Sequence, residues 1–228
     1  MYGKHRALAC VLLLVMCWVA CSTAAADGDP AQLRGWNAGE GYQYIQFGRY
    51  QQDFSAEPIV WRVLSVNDGK AFLMSERILD ARLFDEDSND WPSSDLYQWL
   101  NGSFLKSAFD DGERAALVFA QDIGYVCIPA RGDLRNAAYG FQTDLEASDP
   151  NRQGYSTPNA INNGVWIDDD GGSSYYLRST PNKKNVDQIR SDGSLGIARV
   201  NRSTVGVRPM IVVDTAKATF QFVDSAGQ

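Results

Sequence analysis

Alternating apolar and polar residues predict a strand and then a hairpin near the start of the folded chain. In "YIQFGRY", Ile45 and Phe47 alternate with polar or small neighbours, as in a half-buried strand. The runs "PIVWRVLSV" and "KAFLMS" are rich in β-branched and aromatic residues and flank a short Asn-Asp-Gly turn. This pattern predicts a β-hairpin over residues 59–75.

The next apolar residues have helical spacing. In "DLYQWLNG", leucine, tryptophan and leucine occur at i, i+3 and i+4, which places them on one face of a helix. Ser93 or Ser94 supplies the N-cap, and Gly102 predicts the C-terminal end. Two more short helices are predicted, one over residues 103–109 and one that begins near Glu113.

The second half of the chain predicts strands after a long irregular segment. Residues 131–174 are rich in Gly, Asn, Asp and Ser, with isolated aromatic residues, which is typical of functional loops. Four strands are then predicted from the runs "SYYLRS", "VDQIRS", "LGIARV" and "VGVRPMIVVD", with an Asp-Gly turn between the second and third. We therefore expect one α+β domain over residues 42–224, preceded by a flexible tether over residues 27–41.

The N-terminal segment predicts export. Lys4 and Arg6 precede about fifteen mostly apolar residues, the pattern of a signal peptide, and the run is too short for a typical membrane span. Small residues at positions 24 and 26 indicate cleavage before Asp27, so residues 1–26 form the predicted signal peptide. The alternative is a lipoprotein signal that ends before Cys21, which would then be lipidated.

Removal of this segment excludes several kinds of catalytic site, metal site and disulfide. The chain carries a net charge of −7, and without Lys4 and Arg6 it reaches −9. Its single histidine, His5, also leaves, so neither a Ser-His-Asp triad nor a histidine metal site can form. Cys127 is then the one remaining thiol apart from Cys21, which excludes a disulfide framework. The acidic balance argues against a nucleic-acid partner.

Five short motifs, in order, resemble those of a family of exported bacterial domains of unknown function. They are "WRVL" at 61–64, "SERILD" at 75–80, "WLN" at 99–101, "LRS" at 177–179 and "GVRP" at 206–209. The resemblance covers roughly residues 44–214. Three positions depart from the family pattern: Tyr175-Tyr176 replaces a double tryptophan, Met210 an alanine and Tyr97 an arginine.

This family is similar in motif order to the C-type-lectin-like fold of the sulfatase-modifying-factor (formylglycine-generating enzyme) type. The resemblance implies antiparallel sheets whose first and last strands pair, two or three short helices, and long irregular loops that carry binding. The sulfatase-modifying relatives oxidise their substrate with a cysteine pair. Because the exported chain retains only Cys127 for such chemistry, the resemblance does not imply that activity.

Two motif arginines are expected to serve the scaffold. Arg178 is predicted to pair with a carboxylate or with loop carbonyls, because a planar guanidinium suits both. Arg208 is expected to act similarly, and Trp61, Arg62 and Trp99 are also assigned to the scaffold. The alternative places Tyr176 and Arg178 on a surface that faces a ligand.

Basic residues are concentrated late in the chain. Residues 178–208 carry a local charge of +5, whereas residues 27–177 carry −13. If these side chains share one surface, they favour an anionic partner; alternatively, they neutralise the acidic loop at 168–170. The predicted ligand-binding residues are Trp166, Tyr176, Asn182, Lys183, Lys184, Asn185, Arg199, Asn201 and Arg202.

Three consecutive carboxylates form the one metal hypothesis. Asp168, Asp169 and Asp170 offer oxygen ligands of the kind that calcium prefers. The following residues lack the distal glutamate of an EF-hand loop. Calcium is therefore retained as an alternative to the absence of any cofactor.

These observations predict an exported cell-envelope module, periplasmic, surface-bound or secreted, that binds an anionic glycan or a protein without catalysis. One alternative is a structural envelope protein without a specific ligand. Another is a histidine-free enzyme that depends on carboxylates or a metal.

Overall fold

The computed structural model describes residues 27–224, which form two main, mostly antiparallel sheets connected by short helices and long loops. The predicted signal peptide and Cys21 lie outside these residues. Within residues 27–224 no helix is both long and apolar enough to cross a membrane.

The first sheet has six strands, all antiparallel, in the order β13-β1-β2-β3-β12-β5. Its strands are β1 (Tyr44–Gln51), β2 (Ala56–Asn67), β3 (Lys70–Ser75), β5 (Val126–Cys127), β12 (Met210–Asp214) and β13 (Gln221–Val223). The predicted hairpin is confirmed as β2 and β3. Its turn residues Asp68 and Gly69 both have positive φ, as a tight two-residue hairpin turn requires.

The second sheet has the order β10-β9-β8-β11-β4 and contains one parallel pair, β8 with β11. Its strands are β4 (Asp80–Ala81), β8 (Tyr175–Tyr176), β9 (Asn185–Ile189), β10 (Leu195–Arg199) and β11 (Gly206–Val207). A separate two-stranded ladder consists of β6 (Gly154–Tyr155) and β7 (Gly172–Ser173), which precede β8 in the chain. The predicted late strands are therefore confirmed, although the first is short and the last is split in two.

The helices are short. They are α1 (Asp95–Trp99), a π-helical turn (Leu100–Phe104), α2 (Leu105–Ala108), α3 (Asp111–Ala116), α4 (Arg131–Leu134) and α5 (Pro158–Asn162). Single 3₁₀ turns occur at Pro30–Gln32, Trp91–Ser93 and Ala137–Tyr139. The N-cap prediction is confirmed, since Ser94 Oγ accepts a hydrogen bond from the backbone N–H of Tyr97 at 3.1 Å.

Gly102 does not end the helix, which corrects the sequence prediction. The chain stays helical through the π-helical turn because Leu100 and Phe104, on either side of Gly102, are fully buried. Asn101 also holds this turn in place. Its Oδ1 accepts from the N–H groups of Tyr125 and Val126, and its Nδ2 donates to the Val126 carbonyl at 2.9 Å.

The predicted last strand is the run 205–214, with "ATFQFV" at 218–223 as its continuation, but the structure separates the two parts. The main part of 205–214, β12, pairs with β3 and β5. β1 pairs instead with β13, three residues long, in the register Ile45 to Phe222. The first and last strands of the described chain are thus neighbours.

Residues 27–41, predicted to be a flexible tether, pack against the domain. Leu33 is buried, and the Gly28 N–H donates to the Phe220 carbonyl at 2.6 Å. The Trp36 N–H donates to the Leu64 carbonyl of β2 at 3.2 Å. These contacts attach the segment to the folded domain, which its polar composition did not predict.

Three motifs meet at one buried ion cluster. Arg62 makes a two-pronged contact with Glu76, through Nε at 2.7 Å and Nη2 at 2.8 Å. Arg208 lies 3.8 Å from the same carboxylate and donates to the carbonyls of Ser75, Glu76 and Gln153. Burial and the nearby charge of Arg62 lower the pKa of Arg208. The motif arginines therefore join β2 and the β11–β12 connection to the turn after β3, as predicted for scaffold residues.

The long irregular segment is organised around a buried arginine. Arg152 has no exposed side-chain surface and donates to five carbonyl oxygens, those of Leu134, Gln142, Asp144, Ala147 and Gly193. A loop without regular secondary structure must satisfy its backbone acceptors in some other way. One guanidinium does so for residues 134–147 and links them to the turn between β9 and β10.

Candidate binding site

The loop of residues 199–204, between β10 and β11, lies between two cavities. The hydroxyl group of Tyr176 holds this loop because its single proton is within hydrogen-bond distance of two carbonyl oxygens, those of Arg199, at 3.2 Å, and Arg202. Tyr176 itself is fully buried, and burial raises the pKa of its hydroxyl. Tyr176 therefore cannot lie on a surface that faces a ligand, which corrects its predicted role as a ligand-binding residue. Its side chain instead supports loop 199–204 from the interior of the protein.

One cavity, the Trp166 cavity, has a volume of about 190 Å³. Its wall includes Trp166, Ser174, Gln188, Arg190, Arg202 and Thr204. Trp166 is 57% exposed, and its backbone N–H donates to the Thr204 carbonyl at 3.2 Å, which fixes the loop after α5 beside loop 199–204. Two of the predicted binding residues, Trp166 and Arg202, are thus brought together.

Gln188 contributes a buried amide to this cavity. It lies in β9 between Tyr176 of β8 and Gly196 of β10, and only 8% of its surface is exposed. Its Nε2 donates to the Ile197 carbonyl at 3.4 Å. Its Oε1 is buried and accepts no hydrogen bond from any residue in the range 27–224.

The second cavity, the Lys184 cleft, has a volume of about 410 Å³. Its wall includes Lys184, Arg199 and Asn201, together with the acidic residues Glu86 and Asp87. Lys184 has a φ of 66°, in the left-handed region that lysine rarely adopts. Its carbonyl accepts from the Val200 N–H at 3.2 Å, so the turn before β9 and loop 199–204 are in direct contact.

Two predicted binding residues are used to build the turn itself. The side-chain amides of Asn182 and Asn185 hydrogen-bond to each other at 2.6 Å. Their backbone carbonyls both accept from the side-chain amide of Asn89, in the acidic loop after β4. Lys183, between them in the sequence, is exposed. The two asparagines thus set the position of the lysines.

The basic residues of 178–208 divide into two groups. Arg178 and Arg208 serve the scaffold. Arg178 Nη1 donates to the Ile128 carbonyl at 2.6 Å and to Asp133 at 3.0 Å, the pairing that the sequence predicted. The second group is exposed, and none of its members forms an ion pair within 4.0 Å with a residue of the described chain. Its members are Lys183, Lys184, Arg190, Arg199 and Arg202.

The acidic loop at 168–170 therefore does not neutralise this group through direct ion pairs. Asp168 Oδ1 accepts from the backbone N–H groups of Asp170, at 3.1 Å, and Gly172, at 2.7 Å. A hydrogen bond from the Ser191 side chain, with these backbone bonds, lowers the pKa of Asp168. Among residues 27–224, no three His, Cys, Asp or Glu side chains are grouped as a metal site would require. Calcium binding by Asp168, Asp169 and Asp170 stays a prediction.

Sequence reasoning missed four residues of these cavities. Gln188 lies in β9 and Arg190 directly follows it, and the alternation of this strand gives no sign of a cavity at its end. Glu86 and Asp87 belong to an acidic loop that lies far from the basic segment in sequence. Only the pairing of β9 with β8 and the contact of Asn89 with Asn182 bring these residues to the site.

A third cavity, of about 300 Å³, lies at the edge of the first sheet and is mainly apolar. Its wall includes Phe72, Tyr125, Cys127 and Met210. Burial raises the pKa of the Cys127 thiol to about 12. Because the thiolate is the nucleophilic form, a thiol that stays protonated near neutral pH is a poor nucleophile.

One protein family matches part of the chain. It is described as a domain of unknown function (DUF6273), and the match covers residues 68–132. This region extends from the hairpin turn through the helices to α4, and it contains the motifs "SERILD" and "WLN" as well as Glu86 and Asp87. Trp166 and the five exposed basic residues lie beyond it. No curated protein and no solved structure matches the chain.

Proposed function

We propose that this protein is an exported module of the bacterial cell envelope that binds an anionic glycan or an anionic protein without catalysing a reaction. The proposed surface comprises the Trp166 cavity, loop 199–204 and the Lys184 cleft. The observation that carries the proposal is the group of five exposed basic side chains that form no ion pair with residues 27–224, two of which, Arg190 and Arg202, line the same cavity as the exposed Trp166.

These five basic residues differ in charge from the rest of the chain, which is acidic. The five cations outnumber the two acidic residues of the surface, Glu86 and Asp87, although the exported chain as a whole carries a net charge of −9. Exposed charges interact mainly within about 10 Å at ordinary salt, so the field of this local excess of positive charge acts at the surface. Such a field accelerates encounter with an anion and disfavours cationic partners. The exposed indole of Trp166 adds a large, rigid apolar contact of the kind that anchors recognition surfaces.

The fold is consistent with a C-type-lectin-like architecture, which we include in the proposal. Pairing of β1 with β13, the short helices packed beside the first sheet, and the long loops around the second sheet all support it. The similarity to sulfatase-modifying factors extends only to architecture here. The protonated thiol of Cys127 supports a binding role over oxidative chemistry.

The proposal that the protein is exported is based on its N-terminal segment. Residues 1–26 have the charged start, apolar run and small-residue end of a signal peptide. Cleavage before Asp27 and lipidation at Cys21 remain the two proposed routes, and either places the module outside the cytoplasm. Mass spectrometry of the exported protein distinguishes them, because only the second leaves an acylated Cys21 as the first residue.

The test of the proposed function is a binding measurement at two salt concentrations. The full chain, purified after export by its host, is titrated with acidic polysaccharides and with acidic proteins. The test variant changes four cations of the proposed surface to glutamate: Lys183, Lys184, Arg199 and Arg202. The control variant makes the same change in charge at exposed residues elsewhere: Arg49, Lys70, Lys106 and Arg135.

We expect binding that weakens with salt, is lost in the test variant and persists in the control variant. Equal loss in both variants would show that net charge matters rather than this surface. Absence of binding to every polyanion, with all three proteins folded, would overturn the proposal in favour of a structural role.

A further inference from the structure

We infer that the cavity at the edge of the first sheet, which we call the Cys127 cavity, is a second binding site, for a small, mainly apolar molecule whose oxygen acceptor is held by Arg178. The cavity has a volume of about 300 Å³. None of the residues that line it lines the Trp166 cavity or the Lys184 cleft, so the site is separate from the proposed anion-binding surface. Three features support it: an apolar wall, exposed aromatic rings at the rim and a guanidinium with free donors.

One part of the wall is a face of the first sheet. Val212 of β12 lies opposite Phe72 of β3, and Met210, two residues before Val212, lies opposite Cys127 of β5. Side chains two residues apart on a strand share a face of the sheet, so all four side chains lie on one side of it. Burial raises the pKa of the Cys127 thiol to about 12, which keeps it protonated near neutral pH. This face therefore offers an uncharged, apolar surface to a ligand.

Another part of the wall is the loop over residues 118–125, which two contacts hold in place. The backbone groups of Ala120 and Gly124 hydrogen-bond to each other at 3.2 and 2.8 Å. Asn101 Oδ1 accepts from the Tyr125 N–H at 2.8 Å, and a Cβ at Gly124 would approach the same oxygen to 2.5 Å. Glycine is thus required for the loop to lie this close to the π-helical turn. Because the chain's own contacts fix this wall, less ordering is needed when a ligand binds.

Two aromatic rings form an apolar rim. Tyr125 lines the cavity and is 39% exposed, and the ring of Phe119, 5.1 Å from that of Tyr125, is 54% exposed. Single exposed apolar residues are normal, whereas adjacent ones that border a groove are typical of binding sites. The rim thus extends the apolar wall to the protein surface.

The polar end of the cavity is formed by Arg178 and Asp133. Arg178 Nη1 donates to the Ile128 carbonyl at 2.6 Å and to Asp133 at 3.0 Å, so this nitrogen serves the scaffold. The other two nitrogens, Nε and Nη2, have no side-chain or backbone partner in the range 27–224. Both are accessible, because within these residues the only enclosed side-chain nitrogen or oxygen that lacks a partner is Gln188 Oε1. Arg178 therefore has N–H donors available to an oxygen acceptor.

The charge at this end fits an oxygen acceptor that is either neutral or anionic. Asp133 lies 3.0 Å from Arg178 and offsets its charge, so the head group of the ligand does not need a full negative charge. A carbonyl and a carboxylate both supply the oxygen that guanidinium donors require, and a carboxylate can accept two parallel bonds. An ammonium group supplies no acceptor. Arg178 therefore selects ligands that carry a carbonyl or a carboxylate.

The volume fits one ring with a head group. An engineered cavity of about 150 Å³ in another protein binds benzene, and pockets for whole drug-sized molecules start at about 300 Å³. At about 300 Å³, the Cys127 cavity has room for a benzene ring, a small substituent and little more. Small phenyl compounds are therefore suitable probes.

The experiment titrates the full chain with four phenyl compounds and measures affinity by calorimetry at low and moderate salt. The compounds differ in head group: acetophenone has a carbonyl, benzoate a carboxylate, ethylbenzene no polar group and benzylamine an ammonium. Val118→Phe places a larger side chain in the cavity wall. Its control is Val66→Phe, the same change at a half-buried valine of β2 that does not line the cavity. Arg178→Lys keeps the charge, but its single nitrogen would be occupied by Asp133 and the Ile128 carbonyl. Urea unfolding of each variant verifies that it is folded.

We expect acetophenone and benzoate to bind the wild type about tenfold more tightly than ethylbenzene, the effect of one good hydrogen bond, and benzylamine to bind most weakly. Val118→Phe should weaken binding of every probe about tenfold, and Val66→Phe should leave it unchanged. Arg178→Lys should remove the preference for acetophenone and keep the affinity for ethylbenzene, a pattern that a merely structural arginine would not produce. Acetophenone binding should not depend on salt, unlike polyanion binding. Should Arg178→Lys fail to fold, the comparison of probes in the wild type still tests the head group.

Other outcomes would overturn the proposal. Equal affinities for acetophenone, benzoate and ethylbenzene would refute recognition by Arg178. Tightest binding of benzylamine would assign recognition to Asp133 instead. Absence of binding by every probe, or equal effects of Val118→Phe and Val66→Phe, would refute the Cys127 cavity as the site. None of these results changes the polyanion test, because the two sites share no lining residue.

Discussion

Replacing Glu76 by glutamine tests whether the buried ion cluster of Arg62, Glu76 and Arg208 stabilises the fold. The substitution keeps the size and shape of the side chain and removes only its charge. Glu76 accepts from Arg62 at 2.7 and 2.8 Å and lies 3.8 Å from Arg208, and the side chains of the two arginines are 6% and 0% exposed. Without the carboxylate, two buried guanidinium groups would face each other with no opposite charge between them.

The expected loss follows from these distances. Two unit charges about 4 Å apart interact by about 4 kcal/mol at an effective dielectric constant of about 20. Removing one partner of a buried ion pair costs about 3–5 kcal/mol in measured cases, because the other charge stays buried and uncompensated. We therefore expect Glu76→Gln to lower the free energy of unfolding by about 3–5 kcal/mol, which is a large part of a typical total of about 5–15 kcal/mol.

Urea unfolding, followed by tryptophan fluorescence, measures this loss. The control is Glu57→Gln, the same chemical change at an exposed residue of β2, which we expect to alter stability by no more than about 0.5 kcal/mol. A loss below about 1 kcal/mol for Glu76→Gln, with an unchanged slope against urea, would refute the reasoning. It would mean that water or the neighbouring carbonyls already compensate the two arginines.

Two further predictions concern buried tyrosines. Tyr176→Phe removes the hydroxyl that holds the carbonyls of loop 199–204. We expect this variant to have a free energy of unfolding about 1 kcal/mol lower, measured with urea, and to bind polyanions more weakly. Unchanged binding would show that the loop keeps its shape without this bond. Burial raises the pKa of Tyr42 from 10.0 to about 12, against the opposing effect of Arg62. Because the folded-state pKa is the higher one, this stability is fully present below pH 10 and is lost as the pH rises through about 12. The urea midpoint should therefore fall over that range, and by less in Tyr42→Phe; an equal fall in both proteins would exclude Tyr42 as a contributor.

The sequence indicates several residues of the proposed binding surface but not its full composition. Trp166 and the late basic residues stand out because an aromatic residue in a polar loop and a cluster of cations in an acidic chain are local signals. Gln188 gives no such signal, since it is one of three polar residues among the five of β9. Its unpaired oxygen is visible only when every neighbouring donor has a position.

Tyr176 is a residue that the sequence assigned to the binding surface and that the structure places in the interior. Strand alternation placed it on the face opposite Tyr175, and the sequence suggested that this face meets the ligand. Both faces are in fact buried, because the side toward Tyr176 is covered by loop 199–204 and by Phe84, whose ring lies 5.9 Å away. Alternation along a strand separates two faces, but it does not reveal whether a distant loop covers one of them.

The amino-acid sequence by itself determined the hairpin of β2 and β3, the N-cap of α1, the late strands and the excess of positive charge near the C-terminus. These features depend on residues within a few positions of each other, so spacing and propensity are sufficient to predict them. Only the tertiary structure decided that β13 completes the first sheet, that Arg152 organises the long loop segment, and that Gln188 joins Trp166 and Arg202 in one cavity. These features depend on residues from separate elements of the chain, and their energy comes from burial and hydrogen bonds that exist only once the chain has folded.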